Sequence, residues 1–299
     1  MTADREKKMK TAITGLLWII LLTAAAEAVT YKREAGSCFP LSSTSYAAGN
    51  KSMGGLSELD YNQILDKVQI VMGPEIKKNL GKNLIIDRKW ADPTVDAFAT
   101  RDDANNPVIV MNGGLARHPQ MTKDGFLLLV CHELGHHLGG APKILRGNSG
   151  LRGWSSAEGQ ADYFATSKCL PQFFQAGVEN KNFDYDIDAN NLKQALSKCR
   201  DNICARIVLS GLAVSQVFAS LVNGTPAPSL LYNDPTKVEK TLYNHPNPQC
   251  RLDTYLSGAN CDAGIEIPFD LNDPKIGACV KDQGSRPMCW FQEKDFTVK

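Results

Sequence analysis

Residues 131–139 read Cys-His-Glu-Leu-Gly-His-His-Leu-Gly, so His132 and His136 stand four apart with Glu133 between them. On a helix that spacing puts both imidazoles on one face, one turn apart, within reach of a single cation. Glu133 then flanks the position of a metal-bound water. Two nitrogen ligands and an adjacent carboxylate base suit metal-assisted hydrolysis. Two ligands hold zinc weakly, however, and four-coordination with one position left for water asks for a third protein group. Glu158, 22 residues beyond His136, is the candidate. The interval is long enough for one helix to end and a second to bring a carboxylate back to the ion. Asp162 lies one turn further on the same face and can accept the spare ring N–H of a ligand histidine, which would fix its tautomer.

Glu133 is expected to take a proton from the attacking water and pass it to the leaving amine. A second donor at the reaction centre is sought among the other histidines, of which the chain has five in all. His245 sits in the proline-rich turn Asn244-His245-Pro246-Asn247-Pro248, ahead of Arg251. A rigid turn can hold an imidazole in place, and Arg251 could order it or contact substrate. His137 points about 100° away from His136 on a helix and is expected to pack or bond locally.

These side chains need elements to carry them. The run Phe126–Cys131 is apolar on every face, so the helix bearing the histidines belongs in the core; it is expected from near Met121, capped by Thr122, to Gly139-Gly140. A second helix starting near Ser155 or Ser156 carries Glu158 and Asp162, with Gly159 and Ala161 keeping it slim for close packing on the first. An amphipathic helix is expected over Ser57 to Met72, and further helices over 190–198, 207–222 and 250–256. Leu84-Ile85-Ile86 and Pro107-Val108-Ile109-Val110-Met111 read as strands. The second strand, closed by Asn112-Gly113-Gly114, is expected at a sheet edge where an extended peptide adds its backbone, with Val110, Asn112 and Gly113 as contacts. Residues 143–153 read as a loop.

Composition bounds the class. Lys+Arg is 33 against Asp+Glu 32, with no basic footprint for nucleic acid. The first 28 residues are distinct. Arg5, Lys7, Lys8 and Lys10 lead an apolar stretch from Ile13 to Ala25, and Ala26-Glu27-Ala28 offers a small-residue cleavage site. This reads as a secretory signal, in preference to a retained anchor, and no later segment reads as spanning a bilayer. All nine cysteines follow it. An exported chain can keep disulfides, and the short separations Cys199–Cys204, Cys250–Cys261 and Cys279–Cys289 suggest local bridges. Cys131 is the expected odd thiol, a small hydrophobe in the core. Cys38 could pin an irregular arm.

Three blocks taken in order resemble the M48 family of zinc metallopeptidases, gluzincins that include the CaaX prenyl proteases. They are 108–114 as strand and glycine turn, 127–136 as the helix with His-Glu-x-x-His, and Ala157-Glu158-Gly159-Gln160-Ala161-Asp162 as the family's Glu-x-Glu-Ala-Asp block. Gln160 replaces the second glutamate. A weaker fourth match is His245-Pro246 with Arg251, similar to His-Pro-Pro-x-x-x-Arg, which implies that both line the cleft near the oxyanion. The resemblance spans roughly residues 58 to 258 and leaves the arm and the cysteine-rich tail without a counterpart. The family's membrane branches carry several spanning helices, so a soluble exported member is what the resemblance implies.

The expected architecture is α+β: a mainly helical zincin-type metallopeptidase with a small sheet bordering the cleft and a disulfide-rich C-terminal tail. The division is 1–28 signal, 29–57 irregular arm, 58–258 metallopeptidase domain and 259–299 tail. The expected activity is that of a periplasmic or secreted endopeptidase using one Zn2+, with an unfolded protein or peptide as partner. Two alternatives stand beside it: a chaperone-like or inactive zinc-binding relative, and an amidase acting on cell-wall peptides. The sequence carries no signal for oligomeric state.

Overall fold

The computed structural model describes residues 44–48, 55–146, 151–176 and 187–296. The segment expected to be a secretory signal, Cys38 and most of the arm lie outside these residues.

Helix α1 (Glu58–Leu80) starts at a capping box in which Ser57 accepts from the Asp60 N–H, and ends at Gly81 with φ 67°. Tyr61, Leu65, Val68, Met72 and Ile76 recur at helical spacing and are buried. The helix runs eight residues past the expected Met72. Pro74 removes only the donor to the Ile70 carbonyl, and Ile70 faces solvent at 74% exposure.

Strands β1 (Ile85–Lys89), β2 (Ala97–Arg101) and β3 (Pro107–Asn112) form one sheet in the order β1-β3-β2. β3 pairs in parallel with β1 and antiparallel with β2. The expectation that β3 is an edge strand is therefore wrong: its backbone is committed on both sides, and all six of its residues, Val110 and Asn112 among them, are buried. A fully apolar run suits a strand covered on both faces. Gly113 and Gly114 open a short helix, α2 (Gly113–Ala116). A Cβ on Gly113 would overlap the Trp90 carbonyl and one on Gly114 that of Pro93, so these glycines serve close chain packing and not a peptide.

Helix α3 (Lys123–Leu138) is capped by the Thr122 hydroxyl, as expected, and passes through the core with all fourteen residues from Asp124 to His137 buried. At its start Asp124 takes a bidentate bond from Arg206, at 2.7 and 2.8 Å. Arg206 belongs to α7 (Asn202–Ser220), the described helix long and apolar enough to cross a bilayer. Contrary to expectation, then, a later segment does meet that length and composition, but α7 is mostly buried and packs on α3 and on α8 (Pro248–Asn260).

The segment read as a loop forms a hairpin, β4 (Lys143–Arg146) with β5 (Leu151–Ser156). It leads into α4 (Glu158–Phe164), a π-helical turn (Ala165–Cys169) and α5 (Leu170–Ala176). Helix α6 (Ala189–Lys198) follows, held to α7 by Cys199–Cys204.

The other cysteines pair differently from expectation. Cys131 is bonded to Cys169, tying α3 to the π-helical turn. The residue before His132 points away from the imidazole pair, which is where that turn runs. The remaining bridges are Cys250–Cys289, which staples the tail to α8, and Cys261–Cys279, which joins the residue that follows α8 to a point further along the tail.

Candidate metal centre

Helix α3 presents His132 and His136 with ring centroids 4.9 Å apart. Helix α4 brings Glu158 to them: Oε2 lies 3.2 Å from His132 Nε2 and Oε1 3.7 Å from His136 Nε2. All three side chains are at most 3% exposed. The helices approach closely because Gly135 faces the Ala161 backbone, where a Cβ would come within 2.8 Å of it. Ala161 thus has the expected role. Gly159 does not: it faces the tail, where a Cβ would overlap the Trp290 ring.

The other ring nitrogen of each histidine is committed. His132 Nδ1–H donates to Asp162 Oδ1 at 2.7 Å, and His136 Nδ1–H donates to the Ser156 carbonyl at 2.9 Å, with Ser155 Oγ also 3.0 Å away. Burial lowers the His136 pKa to about 4, against the pull of Glu158, so that ring is neutral near pH 7. Its Nε2 then presents a lone pair to Glu158. An ionised carboxylate and an imidazole lone pair a few ångströms apart in a dry site repel unless a cation lies between them. The donor set fits a divalent metal, and two imidazoles with one carboxylate are among the sets zinc uses in catalytic sites.

Asp162 is wholly buried and supports His132 from behind. Its Oδ1 also accepts from Arg251 Nη2 at 2.7 Å and from Tyr255 OH at 3.0 Å. Burial raises the Asp162 carboxyl, yet the Arg251 guanidinium and His132 bring it below its ordinary value.

His245 and Arg251 part company here. His245 Nε2 lies 3.2 Å from Glu158 Oε2, and its side chain is 34% exposed, the most open member of the cluster. Arg251 is 1% exposed, bonds Asp162 and lies over the Phe218 ring at 3.8 Å. Glu133 is buried, one residue after His132 and three before His136, a spacing that sets it beside His136 on the helix. His137 stacks on Trp154 at 4.6 Å and donates to the Val108 carbonyl, the local role expected of it.

Sequence reasoning missed Tyr255 and the pair Ser155-Ser156. Tyr255 stands four residues after Arg251, so helical spacing alone would have put both on one face. The serines end β5, where the sequence suggests the start of the second helix; that helix begins instead at Glu158. A search of protein-family models, of curated proteins and of solved structures returned no match to this chain.

Proposed function

We propose that the protein is a zinc-dependent endopeptidase that hydrolyses peptide bonds of exported or misfolded proteins. The observation that carries this reading is the convergence of His132, His136 and Glu158 beside a buried Glu133. A bound zinc would supply a Lewis acid and a water acidic enough to be deprotonated near neutral pH. Glu133 accepts that proton and returns it to the departing nitrogen. His245 lies on the open side of the cluster with Nε2 3.2 Å from Glu158 Oε2, near enough to the metal position for an imidazole N–H turned toward substrate to steady negative charge developing on its oxygen. Arg251 acts through Asp162 and His132, holding the ligand ring in place. A peptide adding a strand to the sheet would pair with an outer strand, and β2 packs on α3.

Four disulfides support work in an oxidising compartment, and the charged lead and apolar stretch of residues 5–25 support export.

Metal content and peptide turnover of the wild type, Glu133→Gln and Glu158→Ala test the proposal together. Glu133→Gln should keep stoichiometric zinc and lose turnover at least about a hundredfold. Glu158→Ala should lose zinc itself. Full peptide turnover by Glu133→Gln, or in excess chelator, would refute the mechanism.

A further inference from the structure

Gln160 is wholly buried two residues past Glu158. Its Nε2 donates to the Gly139 carbonyl at 2.6 Å, and its Oε1 accepts from Arg286 Nε at 2.6 Å. Gly139 caps α3, three residues beyond His136, and a carbonyl there lacks an intrahelical donor. Arg286 comes from the tail. It is itself buried, donates from Nη1 to the Pro274 carbonyl at 2.9 Å, and lies 4.9 Å from the ring centres of Tyr163 and Phe291.

A guanidinium can only donate and a carbonyl can only accept, so the bridging side chain must do both. An amide does. A glutamate at 160 would still accept from Arg286, but it would set a carboxylate oxygen against the Gly139 carbonyl oxygen at hydrogen-bond distance.

We propose that Gln160 and Arg286 are positioning residues for the metal centre, forming one relay from the C-terminal tail through α4 to the end of α3. The relay fixes the spacing between the helix that carries His136 and the helix that carries Glu158. It rests on the reading of His132, His136 and Glu158 as ligands. The tail end of the relay is itself anchored. Cys250–Cys289 binds it to α8, Cys261–Cys279 ties it to the residue just after α8, Tyr163 OH donates to the Gly284 carbonyl at 2.6 Å, and Trp290 covers Gly159.

The test is zinc affinity of the folded full chain, measured by competition with a chromophoric chelator. It is read beside the absorption spectrum of the cobalt-substituted protein and the thermal unfolding of the metal-free protein. Gln160→Glu keeps size and shape, and should weaken zinc about tenfold, as loss of an outer partner of a ligand does. Arg286→Met should do the same, and Gln160→Met combined with Arg286→Met should be no worse than the weaker of those two single variants, because both changes cut one chain of contacts and neither leaves a buried charge. The cobalt bands should shift in each. Should Arg286→Met fail to fold, Gln160→Glu and Gln160→Met carry the test. Unchanged zinc affinity and cobalt spectrum in folded Gln160 variants, even with a lower Tm, would overturn the relay while leaving the metal site standing. A wild type that binds no zinc would overturn the site and the relay together.

Discussion

Three donors meet at one oxygen of Asp162: His132 Nδ1, Arg251 Nη2 and Tyr255 OH. The imidazole is thereby held by a carboxylate that is itself held. Removing one neutral donor should be tolerable, so Tyr255→Phe is expected to cost about 1 kcal/mol in urea unfolding and to weaken zinc only several-fold. Removing the cation is different. Arg251→Ala leaves a buried carboxylate short of its charge partner and should cost about 3–5 kcal/mol. If Arg251→Ala kept its unfolding midpoint and lost turnover alone, the arginine would be a substrate contact and not a brace. The sequence made Arg251 visible as a functional residue through its place after His245-Pro246. It could not say which carboxylate the guanidinium reaches, since that depends on how α8 crosses α4. The histidines and Glu158 were legible because their spacing is set within single helices and their chemistry allows few uses.

At the scale of elements, the two ligand helices pack with Gly135 facing the Ala161 backbone. Gly135 lies inside α3, where alanine would be favoured by helix propensity alone, by about 1 kcal/mol. Gly135→Ala should nonetheless destabilise the fold by about 1–3 kcal/mol, because the methyl group meets backbone that cannot swing aside. It should also weaken zinc, by parting His136 from Glu158; chelator competition and urea unfolding on the same variant check both effects. The cap, length and burial of α3 could be read from Thr122, the apolar run and Gly139-Gly140. Strand β2 and the β4–β5 hairpin could not. Ala97-Phe98-Ala99-Thr100-Arg101 carries a weak alternation, and Lys, Arg, Gly and Ser in 143–153 resemble a solvated turn. β3 was correctly a strand but wrongly an edge, since an apolar run speaks of covered faces and says nothing of what lies on either side in the sheet.

At the scale of the whole molecule, a histidine outside the metal cluster sets an acid limit. His118 is buried between the edge of Tyr46 and the end of α7. Its Nδ1 accepts from the Gln120 N–H at 3.2 Å, so the proton sits on Nε2, which faces Ser220 Oγ at 3.3 Å. That serine already donates to the Val217 carbonyl at 2.7 Å, leaving its oxygen to accept. The network needs a neutral ring, and burial pulls the pKa down from 6.5 to about 4. Below pH 6.5 the unfolded chain binds a proton that the folded chain refuses, so the stabilising contribution is complete above 6.5 and is lost as pH falls toward 4. The expected slope is at most about 1.4 kcal/mol per pH unit from this residue. Other buried histidines titrate too, so the measurement is a difference. His118→Asn keeps an acceptor for the Gln120 N–H in the manner of an Asx turn but has no proton to gain. Urea midpoints of wild type and His118→Asn, both metal-free, should converge as pH is lowered from 7 to 4.5. Parallel curves across that interval would mean that His118 accepts its proton within the folded protein as readily as outside it, and that the packing of Tyr46 and α7 around the ring is looser than drawn.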